Sequence, residues 1–324
     1  MAEGNRRHPQ NLQGVLRLAV EAGSASDGPT TNESMSQERI EFLRGALSEV
    51  CKGQLDEVEQ MKRCVSVLLQ DKGEGREDEE VEDEKEAALE MLCDLCDNLD
   101  NARDLMKLGG LEVCVSRCVC HTEAGVRWRA AELLACCAQN MPEVQLYLLQ
   151  QGALHTLLHL TDHDTHPTVR VKALYAVSCL VREQEVGLRD FLSHDGFSVL
   201  MRGMQSDCEK LRTKSAFLLL NLLTSHPDHR VLCMGMVQQL VAVLRSPHSS
   251  EHEHVLGVLC CLVEDSERGV CDCRDPSLGL EELLNQRIRD LLGREESQEE
   301  VEFCERLRAA CFRSQPQEDN VMDR

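Results

Sequence analysis

Arg127-Trp-Arg-Ala-Ala-Glu-Leu-Leu-Ala-Cys136 and Arg170-Val-Lys-Ala-Leu-Tyr-Ala-Val-Ser-Cys179 begin 43 residues apart and follow one pattern. Each opens on Arg, carries a second base two residues on, reaches a small residue, and ends in an apolar run closed by Cys. Three further stretches fall under them: Glu84-Lys-Glu-Ala-Ala-Leu-Glu-Met-Leu-Cys93, Arg212-Thr-Lys-Ser-Ala-Phe-Leu-Leu-Leu-Asn221 and His252-Glu-His-Val-Leu-Gly-Val-Leu-Cys-Cys261. The five starts are spaced 43, 43, 42 and 40 residues. A second landmark runs in phase. Gly110-Leu-Glu-Val, Gly152-Ala-Leu-His, Gly196-Phe-Ser-Val and Gly235-Met-Val-Gln each open a shorter helical pattern, at spacings of 42, 44 and 39.

A period near 40 built only from helical patterns is the signature of a helical solenoid. The unit reads as a short helix, a Gly, a helix, a loop and a longer helix with small residues early. That order favours an all-α, armadillo-like helical-repeat solenoid. Ala87, Ala130, Ala173 and Ser215 take equivalent places, where small side chains let neighbouring helices approach. Composition agrees: aromatics are 3% of the chain, and Leu, Ala, Glu, Gln and Arg are abundant.

No such unit buries its apolar face alone, so the ends need caps. Residues 1–35 read as a flexible tail interrupted by the amphipathic patch Leu12–Val20. A helical domain follows over 36–312. It comprises an N-terminal hairpin cap at 36–70, repeats over 84–270 and a C-terminal helical cap over 277–312. Ser34-Met-Ser-Gln37 offers a capping box for the first helix. Residues 72–83 read as an acidic linker and 313–324 as a polar tail.

The net charge of −22 disfavours nucleic acid and anionic membrane surfaces as partners. No apolar run is long enough for a signal peptide or a membrane span, so the expected compartment is the cytosol, with the nucleus also open. The 18 Cys are then expected as reduced thiols. Cys93, Cys136, Cys179 and Cys260 fall among Leu, Val and Ala, where a thiol acts as a small hydrophobe.

Catalytic signatures are missing: no phosphate-binding glycine loop, no nucleophile elbow, no H-E-x-x-H. The chain reads as a non-enzyme without cofactor or metal. His252-Glu-His254 sits at a helix start and reads as surface polarity. Cys93-x-x-Cys96 has the spacing of half a zinc site but lacks a second pair. Cys118-Val-Cys120-His121 and the series His155, His159, His163, His166 are closer to ligand spacing, yet read as solvated or capping groups.

Binding is the expected activity, on the groove that the longer helices line in a solenoid. One inward stripe per helix carries Arg129, Glu132 and Asn140; Lys172, Tyr175 and Glu183; Lys214 and Asn221. These residues are the candidate partner-binding set. A single Trp, Trp128, argues against the Trp and Asn ladder of the armadillo carriers of nuclear-localisation peptides.

Several longer strings resemble one armadillo family. They are Asn11-Leu-Gln-Gly14, Val126-Arg-Trp-Arg-Ala-Ala131, Thr168-Val-Arg-Val-Lys-Ala-Leu174, Ser178-Cys-Leu-Val-Arg-Glu-Gln184, Asp195-Gly-Phe-Ser-Val-Leu-Met201, Lys214-Ser-Ala-Phe217 and Gly235-Met-Val-Gln-Gln-Leu240. The family is that of the heat-shock-protein-binding, armadillo-type nucleotide-exchange factors, in its cytosolic branch. The resemblance spans about residues 36–312 plus the N-terminal patch. It implies a monomeric co-chaperone that clasps one lobe of the ATPase domain of a 70-kDa heat-shock protein, so that ADP leaves. It also implies, more distantly, a client-release role for Leu12, Val15, Leu16 and Leu18. The short last interval, around Pro247-His-Ser-Ser-Glu251, departs from a regular repeat. A scaffold or ubiquitin-pathway adaptor of the same fold would bind without altering nucleotide release. A metal or redox sensor would carry metal or lose function on alkylation.

Overall fold

The computed structural model describes residues 56–70 and 78–312. The N-terminal tail with Leu12, Val15, Leu16 and Leu18, the first helix of the expected hairpin, most of the acidic linker and the polar tail lie outside them. Among the described residues every regular element is helical. Two compact units divide at Gly110.

The first unit contains α1 (56–69), α2 (Asp78–Cys96) and α3 (Leu99–Lys107). Met61, Val65 and Leu68 give α1 its buried stripe, and Val81, Ala88, Leu89, Leu92 and Cys96 that of α2. Asn98 caps α3 by accepting from the Asp100 amide at 3.1 Å. Buried Asn101 ties α3 to its neighbours: Nδ2 donates to Glu57 Oε2 at 2.9 Å and to the Leu95 carbonyl at 2.8 Å.

In the second unit the helices recur in threes. A short α4 (Gly110–Val113), continued by the π-helical turn Cys114–Cys118, leads to α5 (Ala124–Ala138). Next come α6 (Pro142–Gln150), α7 (Ala153–His163) and α8 (Pro167–Val181), then α9 (Glu185–Ser193), α10 (Gly196–Met204) and α11 (Glu209–Ser225). A 3-10 run over Pro227–Met236 replaces the first helix of the following triplet and precedes α12 (Val237–Leu244) and α13 (Glu251–Val263). The last triplet is α14 (Glu267–Cys273), α15 (Leu280–Leu291) and α16 (Gln298–Phe312). Third helices stack neighbour on neighbour, α5 on α8, α8 on α11, α11 on α13 and α13 on α16.

Burial follows the sequence period. Ala130, Ala131 and Leu134 are inaccessible on α5, as are Ala173, Leu174 and Val177 on α8, Ser215, Ala216 and Leu219 on α11, and Val255, Leu256 and Leu259 on α13. These positions step by 43, 42 and 40 residues. Each large side chain so buried stabilises the stack by roughly 1.5–3 kcal/mol. Small residues allow the closest approaches: a Cβ on Gly203 would lie 2.2 Å from Ser215 Oγ.

An Arg in the first turn of α5, α8 and α11 ties down the chain before that helix. Arg127 Nη1 donates to the carbonyls of His121 at 2.9 Å and Thr122 at 2.6 Å. Arg170 Nε donates to the Thr161 carbonyl at 2.8 Å. Arg212 Nη1 reaches the Ser206 and Asp207 carbonyls at 3.1 and 3.2 Å. Each guanidinium also reaches the next triplet: Arg127 to Asp164, Arg170 to Ser206 Oγ and Arg212 to Glu251. One residue type thus satisfies loop carbonyls and joins consecutive repeats.

Four sequence expectations change. Ala87 is exposed and Ala88 takes the small-residue place, so a 42-residue offset, not 43, lays α2 under α5. The aligned glycines are not equivalent: Gly152 itself has φ +74°, whereas Gly110 and Gly196 each follow a left-handed residue, Gly109 or Asp195. Gly235 lies exposed inside the 3-10 run instead of opening a helix. His252 and Glu251 are fully buried, because α16 and α15 cover the start of α13 with Glu300 and Arg287.

Candidate partner-binding face

The solvent-accessible face of the third helices carries the candidate residues. On α5, Arg129 Cζ lies 4.5 Å from the Trp128 ring centre. Lys172 Nζ, from α8, lies 5.9 Å from the same ring and hydrogen-bonds Glu132 of α5. Such stacking suits both a cation and a flat apolar surface. One turn on, Tyr175 Oη donates to Gln139 Oε1 at 3.1 Å, and Lys214 Nζ of α11 lies 5.7 Å from the Tyr175 ring. Phe217, 43% exposed, meets His254 of α13 edge-on with centroids 5.4 Å apart. The result is a ladder from α5 to α13 in which cations alternate with aromatic rings.

Six expected residues share this ladder or its helices: Arg129, Glu132, Lys172, Tyr175, Lys214 and Asn221. Asn221 bends back, its Nδ2 donating to the Phe217 carbonyl at 2.9 Å. Asn140 and Glu183 stand elsewhere, in the turns just past α5 and α8, both with φ 58°. Asp265 takes the same conformation after α13. These positions serve the chain reversal between repeats.

Trp128, Phe217, Gln139 and His254 are the residues that the stripe argument left out. The missed signal is a repeated tetrad, Lys172-Ala-Leu-Tyr175 and Lys214-Ser-Ala-Phe217, which sets a cation one turn before an aromatic on successive helices. Burial holds His254 below the usual imidazole range, so the ring beside Phe217 is neutral at pH 7. Burial also pushes the Cys179 thiol, beside Tyr175, up to about 11.

The face therefore offers no ionised nucleophile there, but a row of stacked cations and rings. Of the four Cys expected among apolar side chains, Cys93, Cys136 and Cys179 are partly buried and Cys260 is buried. Among the described residues no group of three or more His, Cys, Asp or Glu is arranged to hold a metal ion. His159 and His163 stack on one another with centroids 4.8 Å apart. No described helix is long and apolar enough to cross a membrane.

A family model described as the SIL1/FES1/HPBP1 C-terminal domain matches residues 101–227, and one described as nucleotide exchange factor Fes1 matches residues 12–105. Hsp70-binding protein 1 of Mus musculus is 54% identical over 326 residues, covering 99% of this chain and 90% of the relative. This chain belongs to the Hsp70-binding protein 1 family. The matched C-terminal domain spans Trp128, Lys172, Tyr175, Lys214 and Phe217, so most of the ladder lies inside it.

More distant relatives extend the family. Hsp70 nucleotide exchange factor FES1 of Debaryomyces hansenii is 25% identical, over 82% of this chain and 93% of its own. Nucleotide exchange factor SIL1 of Rattus norvegicus is 32% identical over 44% of this chain and 30% of its own. Among solved structures, a designed armadillo repeat protein superposes with a TM-score of 0.60 at 16% identity, over 78% of this chain and 99% of its own. That likeness establishes the armadillo-like helical-repeat fold.

Proposed function

We propose that this chain is a co-chaperone that binds the ATPase domain of a cytosolic 70-kDa heat-shock protein and promotes ADP release by clasping and displacing one lobe. The relatives' names, Hsp70-binding protein 1 and Hsp70 nucleotide exchange factor, support the partner and the effect. The observation that carries the contact surface is the ladder of Arg129, Lys172 and Lys214 over Trp128 and Tyr175, continued by Phe217. In a chain of net charge −22, these cations collect on one repeated face. Such a face suits a partner surface with carboxylates among apolar groups.

In this reading the chain breaks no bond and works as a monomer without cofactor or metal. Asn221 and Glu132 hold the ladder's helices and cations in place, Asn140 and Glu183 flank it at the turns, and Leu12, Val15, Leu16 and Leu18 engage the chaperone's client-binding side.

Exchange by this route is a linkage between two ligands of the chaperone. If the chain weakens ADP binding by some factor, ADP weakens the chain's binding by the same factor, typically about 5–150-fold. The test is the affinity of the purified chain for the ATPase domain with and without saturating ADP. A matched weakening by ADP supports exchange. Equal affinities in both conditions would assign the chain to the scaffold reading.

A further inference from the structure

We propose that the partner-binding face continues onto α16, where Phe303 and Arg306 form its last rung and Arg306 meets a carboxylate of the same chaperone surface. This rung extends the ladder taken above as the chaperone contact, and so depends on that reading.

The tetrad that builds the ladder changes along the chain. Lys172-Ala-Leu-Tyr175 on α8 and Lys214-Ser-Ala-Phe217 on α11 become His254-Val-Leu-Gly257 on α13. The aromatic is lost at the place where α8 and α11 carry one. Gly257 is buried, and neighbours on both sides take the room that a side chain would need. A Cβ there would lie 2.9 Å from Leu220 Cδ2 of α11 and 3.4 Å from Phe303 Cζ of α16. Phe303 thus brings to α13, from the next third helix, the ring that α13 lacks. Its backbone is held there, because Cys260 Sγ donates to the Phe303 carbonyl at 3.4 Å.

The stripe also stays in register. His254 meets Phe217 edge-on. One turn further Gly257 faces Leu220, and two turns further Cys261 Sγ lies 3.7 Å from Thr224 Oγ1. Gly257 therefore stands in the ladder's own row on α13, with Phe303 bordering it.

Filling a gap explains the ring but not the cation beside it. Arg306, one turn after Phe303, is exposed, and its Cζ lies 5.7 Å from the centre of that ring. Arg129 at Trp128 and Lys214 at Tyr175 have the same arrangement. The other base of α16, Arg308, turns to α15 and donates to Asn285 Oδ1 at 3.0 Å. Glu299, Glu302 and Glu305 are exposed on α16, so Arg306 is the point of this helix that attracts a partner carboxylate. Packed helices lie about 8–10 Å apart, and the rung lengthens the contact by about that much.

The experiment is calorimetric titration of the ATPase domain of a cytosolic 70-kDa heat-shock protein with the full chain, at low and high salt. Wild type is compared with Arg306→Glu, Phe303→Leu, Lys214→Glu and Arg268→Glu. Arg268 is 72% exposed on α14, a first helix, and its reversal makes the same change of net charge off the ladder. Arg306→Glu should keep the helical circular dichroism, weaken binding by about five-fold or more and reduce its salt dependence. Phe303→Leu, which keeps apolar bulk but removes the ring, should weaken binding less, in the same direction. Arg268→Glu should stay within about two-fold of wild type. Unchanged affinity of Arg306→Glu beside a weakened Lys214→Glu would overturn the rung and leave the ladder standing. Equal weakening by Arg306→Glu and Arg268→Glu would also overturn it, as an effect of net charge. A wild-type chain that fails to bind the domain would overturn the underlying reading, and the rung with it.

Discussion

Lys172 on α8 hydrogen-bonds Glu132 on α5, forty residues away in the chain, and the two side chains are about one-third exposed, at 31% and 32%. The pair spans consecutive repeats at the point where Lys172 also stacks over Trp128. Water reaches both partners, so the ion pair adds only about 0–1 kcal/mol to stability. Lys172→Ala should therefore shift the urea midpoint little, while weakening chaperone binding by several-fold. A large loss of stability with unchanged binding would make the pair a structural strut instead.

Arg127 is the opposite case. Its Nε and Nη2 bind Asp164 at 2.7 and 3.2 Å, and the Asp164 side chain is 4% exposed. Arg127→Ala leaves that carboxylate with the His166 amide, at 2.8 Å, and frees two loop carbonyls, and should cost about 2–3 kcal/mol in chemical denaturation. A cost under about 1 kcal/mol would show that water replaces the guanidinium.

Gly196 and Gly235 hold equivalent places in the sequence repeat but should respond differently to alanine. A Cβ on Gly196 would lie 2.3 Å from the Phe191 ring, whereas one on Gly235 meets nothing within 4 Å. Gly196→Ala should destabilise by about 1–3 kcal/mol through overpacking. Gly235→Ala should be neutral or slightly stabilising, by up to about 1 kcal/mol, because alanine restricts the unfolded chain. Thermal unfolding of both variants compares them directly.

His252 sets a pH dependence. Arg287 Nη1 donates to its Nδ1 at 2.9 Å, so the neutral ring keeps its proton on Nε2, facing Ser246 Oγ at 3.2 Å. Burial first, then Arg287, lowers the imidazole to about 4 from 6.5. Glu251, Glu300 and His248 also face the ring. Between those two values the unfolded state binds the extra proton, so this contribution is complete above about pH 6.5 and falls as pH drops towards 4. Roughly 1–2 kcal/mol should be lost between pH 7 and pH 5. His252→Gln should flatten that slope in urea titrations at each pH; an unchanged slope would place the proton uptake elsewhere.

The repeat was legible because burial repeats with it: Ala130, Ala173 and Ser215 sit where the period puts them. The ladder was half legible. Lys172, Tyr175 and Lys214 follow from helical phase, but Phe217 reads as core until the exposure of that position on α11 is known. Asn140 and Glu183 were misplaced for a physical reason: the third helices end before them, and a left-handed residue reverses the chain. His252 was misread because its cover, Arg287 and Glu300, comes from helices 35 and 48 residues away. Burial of a polar group by helices distant in the chain leaves no local pattern.

Stopped-flow release of a fluorescent ADP analogue from a purified cytosolic 70-kDa heat-shock protein tests the central claim most directly. The wild-type chain should accelerate release by about ten-fold or more, a barrier to release lowered by about 1.4 kcal/mol. Lys214→Glu and Phe217→Ala, exposed substitutions expected to leave stability nearly unchanged, should each remove most of that acceleration. Acceleration untouched by both variants would keep the exchange activity and move its contact surface off the third-helix face. Binding without acceleration by the wild-type chain would contradict the account.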